Sequence, residues 1–198
     1  MFRTAFLLLA LMLSAIPAMA QRPGPQFWRK VGCEPFEPRT KLEALEDAYG
    51  GVVFKGFTRI NTFDVRDLRV DAVEMRNLSD SNSISNQARG VVISLRGPGE
   101  QPLEGRAFID YEEIDTVVNG IDAVSKVNET MTKLASFEGR YRSTGDLEVK
   151  AFRQTRSGTA VTVSAGICDE VRIPLSLDDL QKIRAMLVEA KAKLDEIK

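Results

Sequence analysis

The sequence predicts an α+β fold: antiparallel sheet built from two tandem ββββα repeats, with two long helices packed on sheet faces. Three observations carry this expectation. A strand running into an amphipathic helix occurs twice, at 104–127 around GRAFIDYEEIDTVVNGIDAV and at 170–197 around VRIPLSLDDLQKIRAMLVEAKAKL. Apolar residues fall at Tyr111, Ile114, Val117, Ile121 and Val124 in one copy and at Leu177, Leu180, Ile183, Leu187 and Ala190 in the other. That shared spacing traces one helix face, which must be buried against another layer. Upstream of the helices, DLRVDAV at 67–73 matches DLEVKAF at 146–152, and GVVISL at 90–95 matches GTAVTV at 158–163.

In chain order, residues 1–20 have the pattern of a cleaved secretory signal: a charged start at Arg3, an apolar run over 5–16 and Ala18-Met19-Ala20 before the cut. The run is shorter than the roughly 20 apolar residues a spanning helix needs, so no membrane span is expected in the mature chain beginning at Gln21. Residues 21–50 form an arm with Pro23, Pro25, Pro35 and Pro38, closed by a short helix over 40–49 that Gly50-Gly51 ends. Trp28 in the arm is an anchor or a ligand-stacking residue.

Residues 51–198 form the single α+β domain, with repeat one at 51–127 and repeat two at 136–198. Strands are expected over 52–60, 68–75, 90–95 and 106–109. In the second of these the apolar phase moves from Val70 and Ala72 to Val73 and Met75, which suggests a bulge. Asp110 with Glu113, and Ser176 with Asp179, stand where N-caps and capping boxes belong. Asn119-Gly120 falls inside the first helix, and a close helix–sheet contact accounts for that glycine. Repeat two restarts with strands over 137–141, 147–152, 158–163 and 172–175.

Composition removes several functions. The 27 Lys and Arg against 28 Asp and Glu leave a net charge of −1, without the basic excess of a dedicated nucleic-acid binder. There are 0 histidines, which excludes Ser–His and Cys–His dyads and the commonest zinc ligand. No phosphate-binding glycine motif occurs, so neither cofactor nor metal is expected. The 2 cysteines, Cys33 and Cys168, are expected to pair in an exported chain. A bridge would stabilise the fold by roughly 4–5 kcal/mol in the chain-entropy model, less any strain.

Three clusters remain. Asp110, Glu112, Glu113 and Asp115 suit the first turn of a helix by their charge. Arg140, Arg142, Lys150, Arg153 and Arg156, with Arg59, Arg66, Arg69 and Arg76 in the other repeat, are basic residues on paired strands. Interleaved Glu138, Glu148, Asp67 and Asp71 predict cross-strand charge pairing, with an anionic ligand as the functional alternative; Arg140, Arg142, Arg153 and Trp28 are the ligand-binding candidates. Asp80-Ser81-Asn82-Ser83 lacks the ligand order of a calcium loop.

Across 51–198, the run with IDYEEID, KLASFE and TGDLEV resembles a group of exported bacterial proteins with no assigned activity. The resemblance implies an envelope or secreted setting, periplasmic or extracellular, and supplies no site. The functional expectation is a non-catalytic exported protein that binds a partner protein, polymer or small ligand. The alternatives are a hydrolase or lyase using carboxylates and arginines, and a secreted inhibitor.

Overall fold

The structure is a computed structural model that describes residues 37–65, 67–79, 86–154, 158–167 and 170–197. The signal segment, Trp28, Cys33, Cys168, Arg66, Arg156 and the 80–83 loop lie outside the described residues. Two antiparallel four-stranded sheets follow one another along the chain. The first has the order β1 (Val53–Ile60), β2 (Leu68–Asn77), β3 (Gln87–Arg96), β4 (Glu104–Asp110). The second has β5 (Glu138–Arg142), β6 (Leu147–Gln154), β7 (Gly158–Ala165), β8 (Val171–Leu175). Each sheet is followed by a helix: α2 (Ile114–Ser125), after a 3-10 turn at Tyr111–Glu113, and α3 (Leu177–Asp195). A short α1 (Lys41–Glu46) precedes β1. The predicted ββββα order is therefore present twice, as two sheets, and α2 is the shorter helix at 12 residues against 19 for α3. No helix among the described residues is long and apolar enough to cross a membrane.

The two repeats are crossed. Helix α2 lies against β5 and β6 of the second sheet, α3 lies against β2 and β3 of the first, and the helices touch each other. The stripe residues Ile114, Val117, Ile121 and Val124 from α2 and Leu180, Ile183, Leu187 and Ala190 from α3 are buried in one core cluster shared by both sheets. At the head of each stripe the burial fails: Tyr111 is half-buried and Leu177 is 42% exposed. Gly120 explains how α2 approaches so closely, since a Cβ there would overlap the Tyr141 ring of β5.

Backbone geometry marks equivalent positions. Asp67 and Asp146 both adopt positive φ, 60° and 68°, immediately before β2 and β6. Asp is one of the few side chains enriched in that region. Register corrects the alignment of the third strands, however. Leu68 stands opposite Leu95, and Leu147 opposite Ala165, so Leu95 corresponds to Ala165 and Gly90 to Ala160. The match of Gly90 with Gly158 is two residues out of register, a slip that keeps every side chain on its face and so leaves no mark in the hydrophobic pattern.

Three other expectations are corrected. No bulge interrupts β2, whose pairing with β1 and β3 runs unbroken. The apolar phase shifts because β2 is covered on both faces: Val70 and Ala72 enter the main core, while Val73 and Met75 join Leu42 and Leu45 of α1 in a second cluster. Helix α1 stops at Glu46, and Tyr49 is 91% exposed. Asp110 does not cap its own helix. Its carboxylate accepts from the Lys41 and Leu42 N–H groups, at 2.8 and 3.1 Å, and so anchors the start of α1 instead. Ser176 is a true N-cap, with the reciprocal Asp179 bond completing a capping box.

Candidate functional site

Strand alternation gives each sheet a core face and an outer face. On the first sheet the outer face carries Lys55, Phe57 and Arg59 from β1, Arg69, Asp71 and Val73 from β2, Val92 and Ser94 from β3, and Arg106 from β4. Helix α1 covers one part of it; the rest lines an open cavity of about 330 Å³.

The rim of that cavity is a chain of alternating charge. Asp71, only 7% exposed, lies between two arginines, with Arg59 Nε 3.3 Å from Oδ1 and Arg69 Nε 2.9 Å from Oδ2. Arg69 Nη2 also reaches Ser94 Oγ at 3.2 Å and Glu104 Oε1 at 3.4 Å. Glu104 accepts from Arg106 Nε at 3.0 Å, Arg106 Nη1 reaches Glu46 of α1 at 3.0 Å, and Glu46 holds Lys55 at 2.8 Å. Four cations and three carboxylates thus leave one positive charge around a floor of Val73 and Val92, with Phe57 at the lip. The Arg69–Asp71 contact is close but not aligned for a hydrogen bond, so the buried Arg69 Nε–H makes no hydrogen bond among the described residues.

The second sheet repeats the theme with the acid in a different row. Glu148, 6% exposed, lies between Arg142 Nη2 at 2.6 Å and Arg140 Nη1 at 3.8 Å. Ser164, Glu170 and Arg172 correspond to Ser94, Glu104 and Arg106, and Arg172 pairs with Glu170 at 2.6 Å as Arg106 does with Glu104. Arg142, Glu148, Ser164 and Glu170 line a smaller cavity of about 240 Å³ with Arg39 and Ile167.

The structure therefore brings the predicted Arg140 and Arg142 together on one carboxylate. Arg153 sits at the far end of β6, exposed, where alternation turns it to the opposite face. Trp28 lies outside the described residues. Arg59 and Arg69 join Asp71 as charge alternation predicts, whereas Glu46, Lys55, Phe57 and Arg106 were not foreseen. Their only signal is polar or aromatic residues at every second strand position; closing the rim takes elements distant in sequence. The acidic group at 110–115 does not converge: Asp110 binds α1, Glu112 pairs with Lys41 at 3.0 Å, Glu113 accepts from the Thr144 N–H at 2.8 Å, and Asp115 pairs with Lys191.

Electrostatically, one glutamate on each sheet is held toward its ionised form. Burial pushes Glu104 upward, but the hydrogen bond and charge of Arg106, with Arg69 and Ser94, outweigh it and hold the carboxyl below its ordinary value. Glu170 is treated the same way, burial being outweighed by Ser164 and Arg172. Asp122 and Asp179 are lowered by their bonds to Arg184 and Lys182. A carboxylate held low accepts hydrogen bonds at neutral pH and is a poor proton donor there. Among the described residues no group of three His, Cys, Asp or Glu side chains is placed to hold a metal ion. Comparison of the chain with protein-family models, with curated proteins and with solved structures gives no match in any of the three.

Proposed function

We propose that this is an exported, non-catalytic binding protein, and that the outer face of the first sheet takes an acidic ligand with an apolar part. The observation that carries the reading is a cationic rim over an apolar floor, in which the Arg69 Nε–H faces Asp71 without an aligned hydrogen bond. An anion over the rim would accept charge-assisted hydrogen bonds from its guanidinium groups. The apolar part would rest on Val73, Val92 and the ring of Phe57. The carboxylates of the rim hold the guanidinium groups in place before binding, which lowers the ordering cost of association. An acid–base enzyme would need a carboxyl raised toward neutral pH, whereas the resolved carboxylate shifts go the other way.

The test is an NMR titration of the isotope-labelled protein with an aryl carboxylate such as phenylacetate. Saturable shifts are expected to gather at Arg59, Asp71, Val92, Ser94 and Arg106, and to vanish in Arg69→Ala. Shifts scattered over the surface, or indifferent to Arg69→Ala, refute the site.

The export reading carries a covalent consequence. Arg39 and Ile167 line one cavity, and Arg39 pairs with Asp146, so the chain six residues after Cys33 and the chain one residue before Cys168 meet on the second sheet. Six residues reach at most about 20 Å, enough for the two thiols to join. The exported protein should start at Gln21 and show no free thiol until reduced, as intact-mass analysis after alkylation would register; two alkylated cysteines in the unreduced protein would refute the bridge.

A further inference from the structure

We infer that the outer edge of β1, unpaired among the described residues, is a pairing surface for a second copy of this chain, joined antiparallel about Gly56. The inference rests on main-chain geometry and stands apart from the ligand reading. The Leu78 N–H donates to Val52 O at 2.8 Å, and Val52 faces Leu78 by continuation of the Val53–Asn77 pair. In an antiparallel ladder the bonding pairs alternate, so even-numbered residues of β1 spend their N–H and C=O on β2. Val53, Lys55, Phe57 and Arg59 turn theirs to the open side.

The other sheet edges among the described residues are protected. Along β4, the Phe108 N–H donates to Gly145 O at 2.8 Å, which closes part of that edge. Strand β8 has 5 residues and carries Pro174, which removes a donor. Strand β5, the counterpart of β1, also has 5 residues and alternates Glu138, Arg140 and Arg142. Strand β1 has 8 residues, extends beyond its counterpart through Val53–Gly56, and carries Phe57 where β5 carries Glu138. Phe54 and Phe57 are 51% and 64% exposed. Its two cations are held on the outer face, Lys55 by Glu46 and Arg59 by Asp71.

The sequence of β1 selects a copy of itself as the occupant. A two-fold axis normal to the sheet keeps each side chain on its face, so facing residues share parity. Centred on Phe57, the pair would set Lys55 against Arg59, a like-charge opposition that is destabilising. Centred on Gly56, it sets Lys55 against Phe57 twice, an ammonium beside an aromatic ring. Val53 then faces Arg59 and Phe54 faces Thr58. Among the described residues the only atom near the vacant side-chain position of Gly56 is a Phe54 ring carbon at 3.8 Å, so the two Phe54 rings would close over the axis. About eight main-chain hydrogen bonds form, and both ligand cavities open on the same face of one continuous sheet.

Sedimentation equilibrium of the purified protein across the micromolar range tests this. The wild-type protein should associate to a dimer. Lys55→Pro removes an N–H that points to the open edge and none that bonds β2, so it should abolish the dimer while the far-ultraviolet spectrum of the folded chain is kept. Phe57→Lys places an ammonium against Lys55 of the second copy and should weaken association by about tenfold or more. Phe57→Glu places a carboxylate there and should preserve it. A monomer at every concentration, or a dimer indifferent to Lys55→Pro, overturns the proposal. Equal losses in both Phe57 variants overturn the register, and a β1 edge found occupied by a strand of another protein overturns the choice of occupant.

Discussion

Gly120 and Gly145 show how single positions hold the fold. A methyl group at Gly120 meets the Tyr141 ring, which has a rotatable side chain; one at Gly145 meets the carbonyl of Phe108, which is backbone. Overpacking of this kind costs about 1–3 kcal/mol, least where the neighbour can move. Gly120→Ala should therefore destabilise less than Gly145→Ala, as urea denaturation would report; the reverse order would mean that α2, not the β4–Gly145 bridge, is the rigid contact. Glu104 and Glu170 set a pH dependence at the same scale. Both carboxyls lie below their ordinary 4.5 in the folded chain, because burial is outweighed by Arg106 at Glu104 and by Ser164 and Arg172 at Glu170. A lowered folded-state pKa contributes stability that is present above the unfolded value and is lost as pH falls through the folded one. The urea midpoint should hold from pH 7 to about 5 and decline below about 4.5. Glu104→Gln should flatten part of that decline. An unchanged slope in the variant would separate the ion pair from acid sensitivity.

Among the elements, the two helix starts look alike in sequence and differ in chemistry. Ser176 receives the Asp179 N–H at 3.0 Å and closes a box, whereas Asp110 serves two N–H groups of α1, 68 and 69 residues away. Ser176→Ala should cost on the order of 0.5–2 kcal/mol of global stability, the range for a lost N-cap. Asp110→Ala should instead release α1 locally. Hydrogen exchange would speed at Lys41 and Leu42 more than in α2; faster exchange confined to α2 would restore Asp110 as a cap of its own helix. The contrast shows what sequence reveals at this scale. A 3.6-residue apolar period is a property of the helix alone, so the faces of α2 and α3 were legible. The partner of an acidic side chain at a helix start is not local, and β2 showed a false bulge because a strand buried on both faces loses its alternation. Part of the site was legible for the same reason: Arg59, Arg69 and Asp71 alternate on neighbouring strands, while Glu46 and Arg106 reach the rim only when α1 and β4 fold beside them.

The whole molecule depends on the crossing of its helices. Repetition in sequence predicts two units, and each copy of ββββα does form its own sheet. Nothing in the pattern tells a stripe which sheet to cover, since either core face offers the same apolar surface. The crossing makes each repeat incomplete, because the apolar faces of β2 and β3 are covered by α3, which belongs to the other repeat. Ion pairs span the same seam, Arg184 of α3 with Asp122 of α2 at 2.7 Å, and Thr62 bonds Glu189. A chain cut between residues 135 and 136 should thus yield two fragments that are each unfolded alone. Mixed in equal amounts, they should recover the far-ultraviolet spectrum of the intact protein, with a midpoint that rises with concentration, as mass action requires of a two-chain native state. The Ile121→Ala substitution in the first fragment should weaken the complex in proportion to its effect on the intact chain, because Ile121 is fully buried in the shared core. Truncation at such a position costs roughly 2–5 kcal/mol. If either fragment folds cooperatively by itself, the crossed helices do not bind the repeats into one unit.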